Sequence, residues 1–242
     1  MLGSVDLPDQ VADLLRAGGL DELGVVSCDS FDAAAPESLR CHRQLSDAAC
    51  ALVVGAGREL FHALRDPGVD PLDRHTENVI EGAVCALEGA GHGARAIFSH
   101  VPRDDGYVDL VALGRAAGLG WPSRLGLLLH PQRGPWWSLR GVILTTLPLA
   151  PGAPLPGCGP CSGCPAPCTE ACPSAAPQPE GFSIHRCAAT RQAPEPCAST
   201  CHARRACPIG KTQAYPREAE AHLMAASRGA LLERANNSVP AG

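Results

Sequence analysis

Nine of the chain's 13 cysteines lie between Cys158 and Cys207, and this array constrains the fold more than any other feature of the 242 residues. The 66 residues from Pro151 to Pro216 carry 13 prolines but only five large apolar side chains: Leu155, Phe182, Ile184, Ile209 and Tyr215. Ordering one residue costs about 1–2 kcal/mol of backbone entropy, while a buried large apolar side chain returns about 1.5–3 kcal/mol. Five such side chains cannot hold the segment, so cross-links through sulfur or metal must supply the difference.

Three kinds of cross-link use cysteine. Disulfides suit small exported scaffolds. Here the start of the chain carries Asp6, Asp9 and Asp13 and lacks both the basic opening and the apolar stretch of a leader. No run of about 18 apolar residues occurs, so no membrane span is expected. A cytoplasmic protein with reduced thiols is therefore expected. Structural zinc asks for two separated C-x2-C knuckles. In this chain one knuckle, Cys161-x2-Cys164, runs on through Cys168 to Cys172-Pro173, and the second group, Cys187, Cys197, Cys201 and Cys207-Pro208, has none.

The first run is one residue longer than the bacterial ferredoxin pattern C-x2-C-x2-C-x3-C-P, in which the cysteine before proline ligates the other of two clusters. Carried over, Cys161, Cys164, Cys168 and Cys207 would hold one [4Fe-4S] cluster, and Cys172, Cys187, Cys197 and Cys201 a second. A rival register, Cys158-x2-Cys161-x2-Cys164-x3-Cys168, needs no insertion but continues with Thr169 where proline should stand. Proline lacks an N–H and has a fixed φ, so it ends a ligand loop with a defined turn. The proline-marked register is preferred on that ground, and Cys158 is left over.

A net charge of −5 gives no nucleic-acid footprint. Around the second cysteine group, however, stand Arg186, Arg191, Arg204, Arg205 and Lys211. They read either as a solvated basic face or as cations that raise the potential of negatively charged clusters and dock an acidic donor.

Residues 1–150 read as one α/β domain, followed by a cysteine-rich module over 151–216 and a helix with tail over 217–242. Helices are expected over Val11–Arg16, Arg58–Arg65, a segment capped by Asp73, and Val108–Ala117 with Gly118 as C-cap. Strands are expected at Leu23–Cys28, Cys50–Val54, Ala94–Val101, Leu125–His130 and Leu139–Leu147. Such alternation implies an α/β sandwich. Cys28, Cys41, Cys50 and Cys85 are isolated along the chain and read as core thiols. Gly55-Ala56-Gly57 lacks the third glycine of a dinucleotide loop, because position 60 is Leu. His75 reads as a surface residue at a helix start. A last amphipathic helix, Arg217–Arg234, would present Leu223, Met224, Leu231 and Leu232.

Three stretches carry a family resemblance: Ala117-Gly118-Leu119-Gly120-Trp121, then Gly134-Pro135-Trp136-Trp137-Ser138-Leu139-Arg140, then Cys158-Gly159-Pro160-Cys161. Together with the cysteine array they resemble the epoxyqueuosine reductases and the related reductive dehalogenases, over about Tyr107 to Lys211. The resemblance implies a nitroreductase-like αβα sandwich that binds cobalamin, followed by a ferredoxin-type module with two [4Fe-4S] clusters. The chain departs from the family at Pro122-Ser123-Arg124, where a glycine-lysine pair is usual. The family's catalytic aspartate sits in a D-x-x-P segment, and Asp104 is the nearest positional match here, without that proline; a surface turn at Asp104-Asp105-Gly106 explains these acids without chemistry and is the preferred reading.

The expected function is an iron–sulfur oxidoreductase that passes electrons to a cofactor or substrate of the N-terminal domain. By the resemblance this is a cobalamin-dependent reduction of a small molecule or modified nucleoside, fed by a donor such as a flavodoxin or ferredoxin. The alternatives are a non-catalytic electron carrier with a docking domain and a structural zinc protein.

Overall fold

The computed structural model describes residues 7–63, 71–98, 109–193 and 195–237. Asp104 lies outside them. In chain order the elements are α1 (Leu7–Ala17), β1 (Glu22–Ser27), α2 (Cys28–Asp32), β2 (Cys50–Ala56), α3 (Glu59–Ala63), α4 (Pro71–Gly89), β3 (Ala94–Phe98) and α5 (Leu110–Ala116). Then come β4 (Trp121–Pro122), β5 (Leu128–Leu129), β6 (Ser138–Thr145), α6 (Pro167–Ala171), β7 (Pro177–Gln178), β8 (Gly181–Phe182), α7 (Ile184–Thr190), α8 (His202–Ala206) and α9 (Arg217–Asn237).

They form two compact units, each built from two stretches of chain. The first unit is Met1–Gly120 with Trp137–Leu155, and the second is Trp121–Trp136 with Pro156–Gly242. The expected single cut after residue 150 thus becomes a discontinuous division, and the C-terminal helix belongs to the cysteine-rich unit. Burial explains this: Leu125 and Leu129 pack with Cys168, Ala203 and Cys207.

In the first unit, β1, β2, β6 and β3 lie side by side in that order, and every pairing is antiparallel. Directly opposed residues in such a sheet share a face. The row Gly24, Val53, Val142, Ile97 faces the end of α5, since a Cβ on Gly24 would stand 2.7 Å from the Ala117 methyl. The neighbouring row faces α4, since a Cβ on Gly141 would stand 3.0 Å from Ile80. Helices therefore cover both faces, giving the expected αβα sandwich on an antiparallel sheet. The core is the wholly buried β2 together with Val142, Ile143 and Leu144 of β6. Val11 and Leu15, one turn apart on α1, are also buried, as are Ile80, Val84 and Leu87 of α4.

Several local expectations change. Asp73 lies inside the first turn of α4 and is not its N-cap. His75 is half-buried, with Nε2 2.8 Å from the Gly18 carbonyl oxygen. Gly55 sits at a register shift in β2, where a Cβ would stand 2.8 Å from the Trp137 ring, so packing accounts for it. Cys28, Cys41 and Cys50 are buried as expected, whereas Cys85 is exposed on α4. Cys28 and Cys41 are neighbours in space: their thiols hydrogen-bond, which with burial pushes the Cys41 thiol far above its usual range. The Asp32 carboxylate ties this corner together by accepting the Cys41 N–H at 2.7 Å and the His42 N–H at 3.0 Å.

In the second unit the expected strand over Leu125–His130 shrinks to β5, which pairs with β4. The cause is a turn: Ser123 Oγ donates to the Leu127 carbonyl at 2.7 Å and accepts the Leu125 N–H at 3.3 Å. The four apolar residues expected on one face of α9 are only half-buried, while Glu220 and Ala235 of that helix are buried.

Candidate metal centres

Short elements position the cysteines. Cys168 lies in α6 and Cys172 caps its end; Cys187 lies in α7, whose first turn is capped by Ser183 Oγ. Cys201 and Cys207 flank α8. None of these segments could stand alone, since α6, α7 and α8 are only five to seven residues long. The helices α6 and α8 are held by the cluster of Leu125, Leu129, Cys168, Ala203 and Cys207, with Leu127, Cys161, Ala166, Cys172, Cys201 and Ile209 around it, while α7 packs on α9.

The structure brings the cysteines together in two sets. Burial pushes the Cys207 thiol up, and Cys161, Cys168 and Cys164 push it further; burial likewise raises Cys168, with added repulsion from Cys161 and Cys164. In the other set, burial pushes Cys187 up to about 11, against the pull of Arg191 and with Cys201, Cys172 and Cys197 adding to the rise. Cys197 is raised by burial and then by Cys201 and Cys172. Cys201 is raised by burial and, less strongly, by Cys172 and Glu220, against the Arg204 N–H and guanidinium. Cys172 therefore stands with Cys187, Cys197 and Cys201, and Cys207 with Cys161, Cys164 and Cys168. Cys158 is exposed and is not among the chief causes of any of these five rises.

Beside the first set is a cavity of about 230 Å³ lined by Cys161, Cys164 and Cys207 together with Leu129, Pro160, Pro165, Pro208 and Ile209. Among the described residues no three His, Cys, Asp or Glu side chains converge closely enough to hold a single metal ion. Thiolates around a cube of iron and sulfide stand further apart than four thiolates on one zinc, whose Zn–S bonds are about 2.3 Å. Groups of four soft donors suit such a cube, and the first group has an apolar, proline-walled cavity beside it.

Residues of the sequence motifs pack against the loops that carry the array. Gly159 has φ +75°, and a Cβ there would stand 2.6 Å from Trp121, so the Cys-Gly-Pro-Cys loop lies directly on that ring. The Trp121 indole N–H donates to the Pro156 carbonyl at 3.0 Å. Gly134, at φ +57°, brings its turn against the Ile209 carbonyl, just beyond Cys207. This explains why the separate sequence motifs occur together.

The basic face expected around the second set is largely an internal scaffold. The Arg204 guanidinium stands 5.3 Å from the Trp136 ring and 5.0 Å from Tyr215, and its Nε donates to the Pro135 carbonyl at 2.8 Å. Arg205 forms an ion pair with Glu220. Glu220 is 1% exposed and also accepts from Thr200 Oγ1 at 2.8 Å and from the Cys201 N–H at 3.1 Å. Arg191 donates to Ser227 Oγ and to the Met224 carbonyl. Sequence reasoning missed Glu220, because nothing distinguishes it from the solvent-facing Glu218 two residues earlier.

No family model matches the chain. Its sequence is similar to an epoxyqueuosine reductase of Gloeobacter violaceus, 41% identical over 91 residues; the match spans 37% of this chain and only 26% of the relative. The fold is similar to that of an epoxyqueuosine reductase crystallised with an epoxyqueuosine-modified tRNA-Tyr stem loop: TM-score 0.60, 16% identity, 89% of this chain and 68% of the other. It is also similar to a reductive dehalogenase whose structure suggests a mechanism for B12-dependent dehalogenation: TM-score 0.61, 17% identity, 98% of this chain and 38% of the other. The resemblance drawn from the motifs is thus found in both sequence and fold.

Proposed function

We propose that the chain is an iron–sulfur reductase of the kind that handles modified nucleosides, with one [4Fe-4S] cluster on Cys161, Cys164, Cys168 and Cys207 and another on Cys172, Cys187, Cys197 and Cys201. The observation that carries this reading is the grouping of eight thiols into two crossed sets of four. When bound, such clusters supply single-electron transfer. The chain's own residues supply the thiolates and the walls that keep water out: Leu125, Leu129 and Ile209 against the first set, and α9 against the second. The similarity to epoxyqueuosine reductases supports a reductive reaction on a modified nucleoside, and a flavodoxin or ferredoxin is the fitting class of donor. Among the described residues no helix is long and apolar enough to cross a membrane.

Cobalamin enters through the similarity to B12-dependent enzymes alone. Within the first unit, a cavity beside Phe31, Leu39 and Ala112 holds about 500 Å³, and one beside Val11, Leu52 and Leu87 about 450 Å³. These volumes suit drug-sized ligands. A corrinoid with its nucleotide tail is larger than either of these two, so neither is assigned to it. No step is derived through that cofactor. A second reading, favoured by Pro122-Ser123-Arg124 standing where the family has its glycine-lysine pair, is that the chain carries electrons to a partner without catalysing a reaction.

One experiment separates the readings. Protein purified without oxygen is assayed for iron and sulfide, titrated with cobalamin, and then given a reductant and an RNA stem loop bearing epoxyqueuosine. About eight irons and eight sulfides per chain, a shift of the corrinoid bands and conversion of the nucleoside are expected. Full iron without corrinoid binding or conversion would leave the electron carrier. Colourless protein containing zinc would overturn both readings.

A further inference from the structure

Arg191 is a cation placed where a cation should not be stable. It closes α7 as the C-cap, donates its N–H to the Cys187 carbonyl at 3.0 Å, and is only 7% exposed. Its guanidinium is bonded to neutral groups, the Ser227 hydroxyl and the Met224 carbonyl, and among the described residues it makes no ion pair. Burying an unpaired charge is costly, and proteins accept it only where an opposite charge or a metal site compensates. Arg191 follows Cys187 by one helical turn, so the two stand on the same face, and its field reaches both Cys187 and Cys197.

We propose that Arg191 is the built-in counter-ion of the second thiolate set and makes the cluster held there the more readily reduced of the two. The assignment rests on the iron–sulfur reading above. A cluster bound by four thiolates is anionic, and reduction adds one more negative charge. A guanidinium fixed beside it in a low-dielectric setting therefore stabilises the reduced form more than the oxidised form.

Of the other described charged groups around this set, only the exposed Glu195 opposes, at Cys197. Glu220, the acid that touches the Cys201 N–H, is neutralised by Arg205. Arg204, held between Trp136 and Tyr215, adds a further positive field at Cys201. The first set faces apolar walls instead: Leu129, Pro160, Pro165, Pro208 and Ile209. Electrons entering the module would collect at the second set. The guanidinium is held by its own bonds to Ser227 and Met224, and Arg228 of α9 fixes the backbone beneath it through the carbonyls of Arg191 (2.7 Å) and Gln192.

The test is a reductive titration followed by electron paramagnetic resonance on anaerobically reconstituted protein. The signal of the second cluster is identified by its loss in C197A. R191Q should keep the iron of the wild type and lower the potential of that signal alone, by at least a tenfold change in its equilibrium constant, about 59 mV for one electron. R191K should restore most of the shift. S227D, a change at an exposed position, puts a carboxylate beside the guanidinium and should lower the same potential with Arg191 still in place; it decides the question if R191Q does not fold. Full iron with unmoved potentials in R191Q and S227D overturns the assignment alone and leaves Arg191 a clamp for α9. Wild-type protein without iron overturns the metal reading and this assignment with it.

Discussion

Glu220 carries more of the second unit than its place in a polar helix suggests. Its two oxygens accept from Thr200, from the Cys201 N–H and from Arg205, so a single carboxylate fixes the start of α8 and one member of the second cysteine set. Removing one partner of a buried ion pair costs about 3–5 kcal/mol, because the remaining charge is stranded. Glu220→Ala is therefore expected to destabilise the protein by about that much, and Glu220→Gln by less, in denaturant unfolding of the reconstituted protein. A loss within about 0.5 kcal/mol for Glu220→Ala, the range of an ordinary surface change, would remove Glu220 from this role. At this scale the cysteine runs stand out in the sequence itself, because Pro173 and Pro208 close them. The side chains that respond to them do not: Arg191, Arg204 and Arg205 look like surface cations until Ser227, Trp136 and Glu220 are brought beside them by residues distant in sequence.

Among the elements, β2, β6 and α4 were legible from apolar runs and helical spacing, since each buries one continuous surface. The order of the strands was not, because alternation of helix and strand says nothing about direction, and the sheet is antiparallel throughout. The stretch at Leu125–His130 misled for a related reason: a leucine run reads as a strand, yet Gly126 at φ +70° turns it so that it presses on Phe182. The helix α9 is the element with the sharpest consequence. It packs on α7 and supplies Glu220, Met224, Ser227 and Arg228 to the surroundings of the second set, whereas the residues lining the first set come from elsewhere. A chain ending at Pro216 is expected to keep about half the iron, with the surviving signal insensitive to Cys197→Ala and abolished by Cys164→Ala. Full iron in that truncated chain would show that α9 is dispensable for the second set.

For the molecule as a whole, the sequence divides neatly after residue 150 by composition, but the structure divides it by burial. Trp121–Trp136 leaves the α/β unit after α5, contributes Leu125, Leu129 and Trp136 to the cysteine-rich unit, and the chain then returns to lay down β6 in the sheet. A fragment comprising residues 156–242 contains all nine cysteines of the array yet lacks those side chains. It is expected to remain unfolded and to bind little iron on reconstitution, while the same fragment mixed with a peptide of residues 121–136 should recover part of it; full loading of the fragment alone would contradict this division. The β4–β5 ribbon also sets a limit on how such a protein can be recombined. Grafting its cysteine-rich half onto a foreign host would require moving two separate pieces of the gene together, since a single crossover at either end would carry over the cysteines without the hydrophobic lining that shelters them.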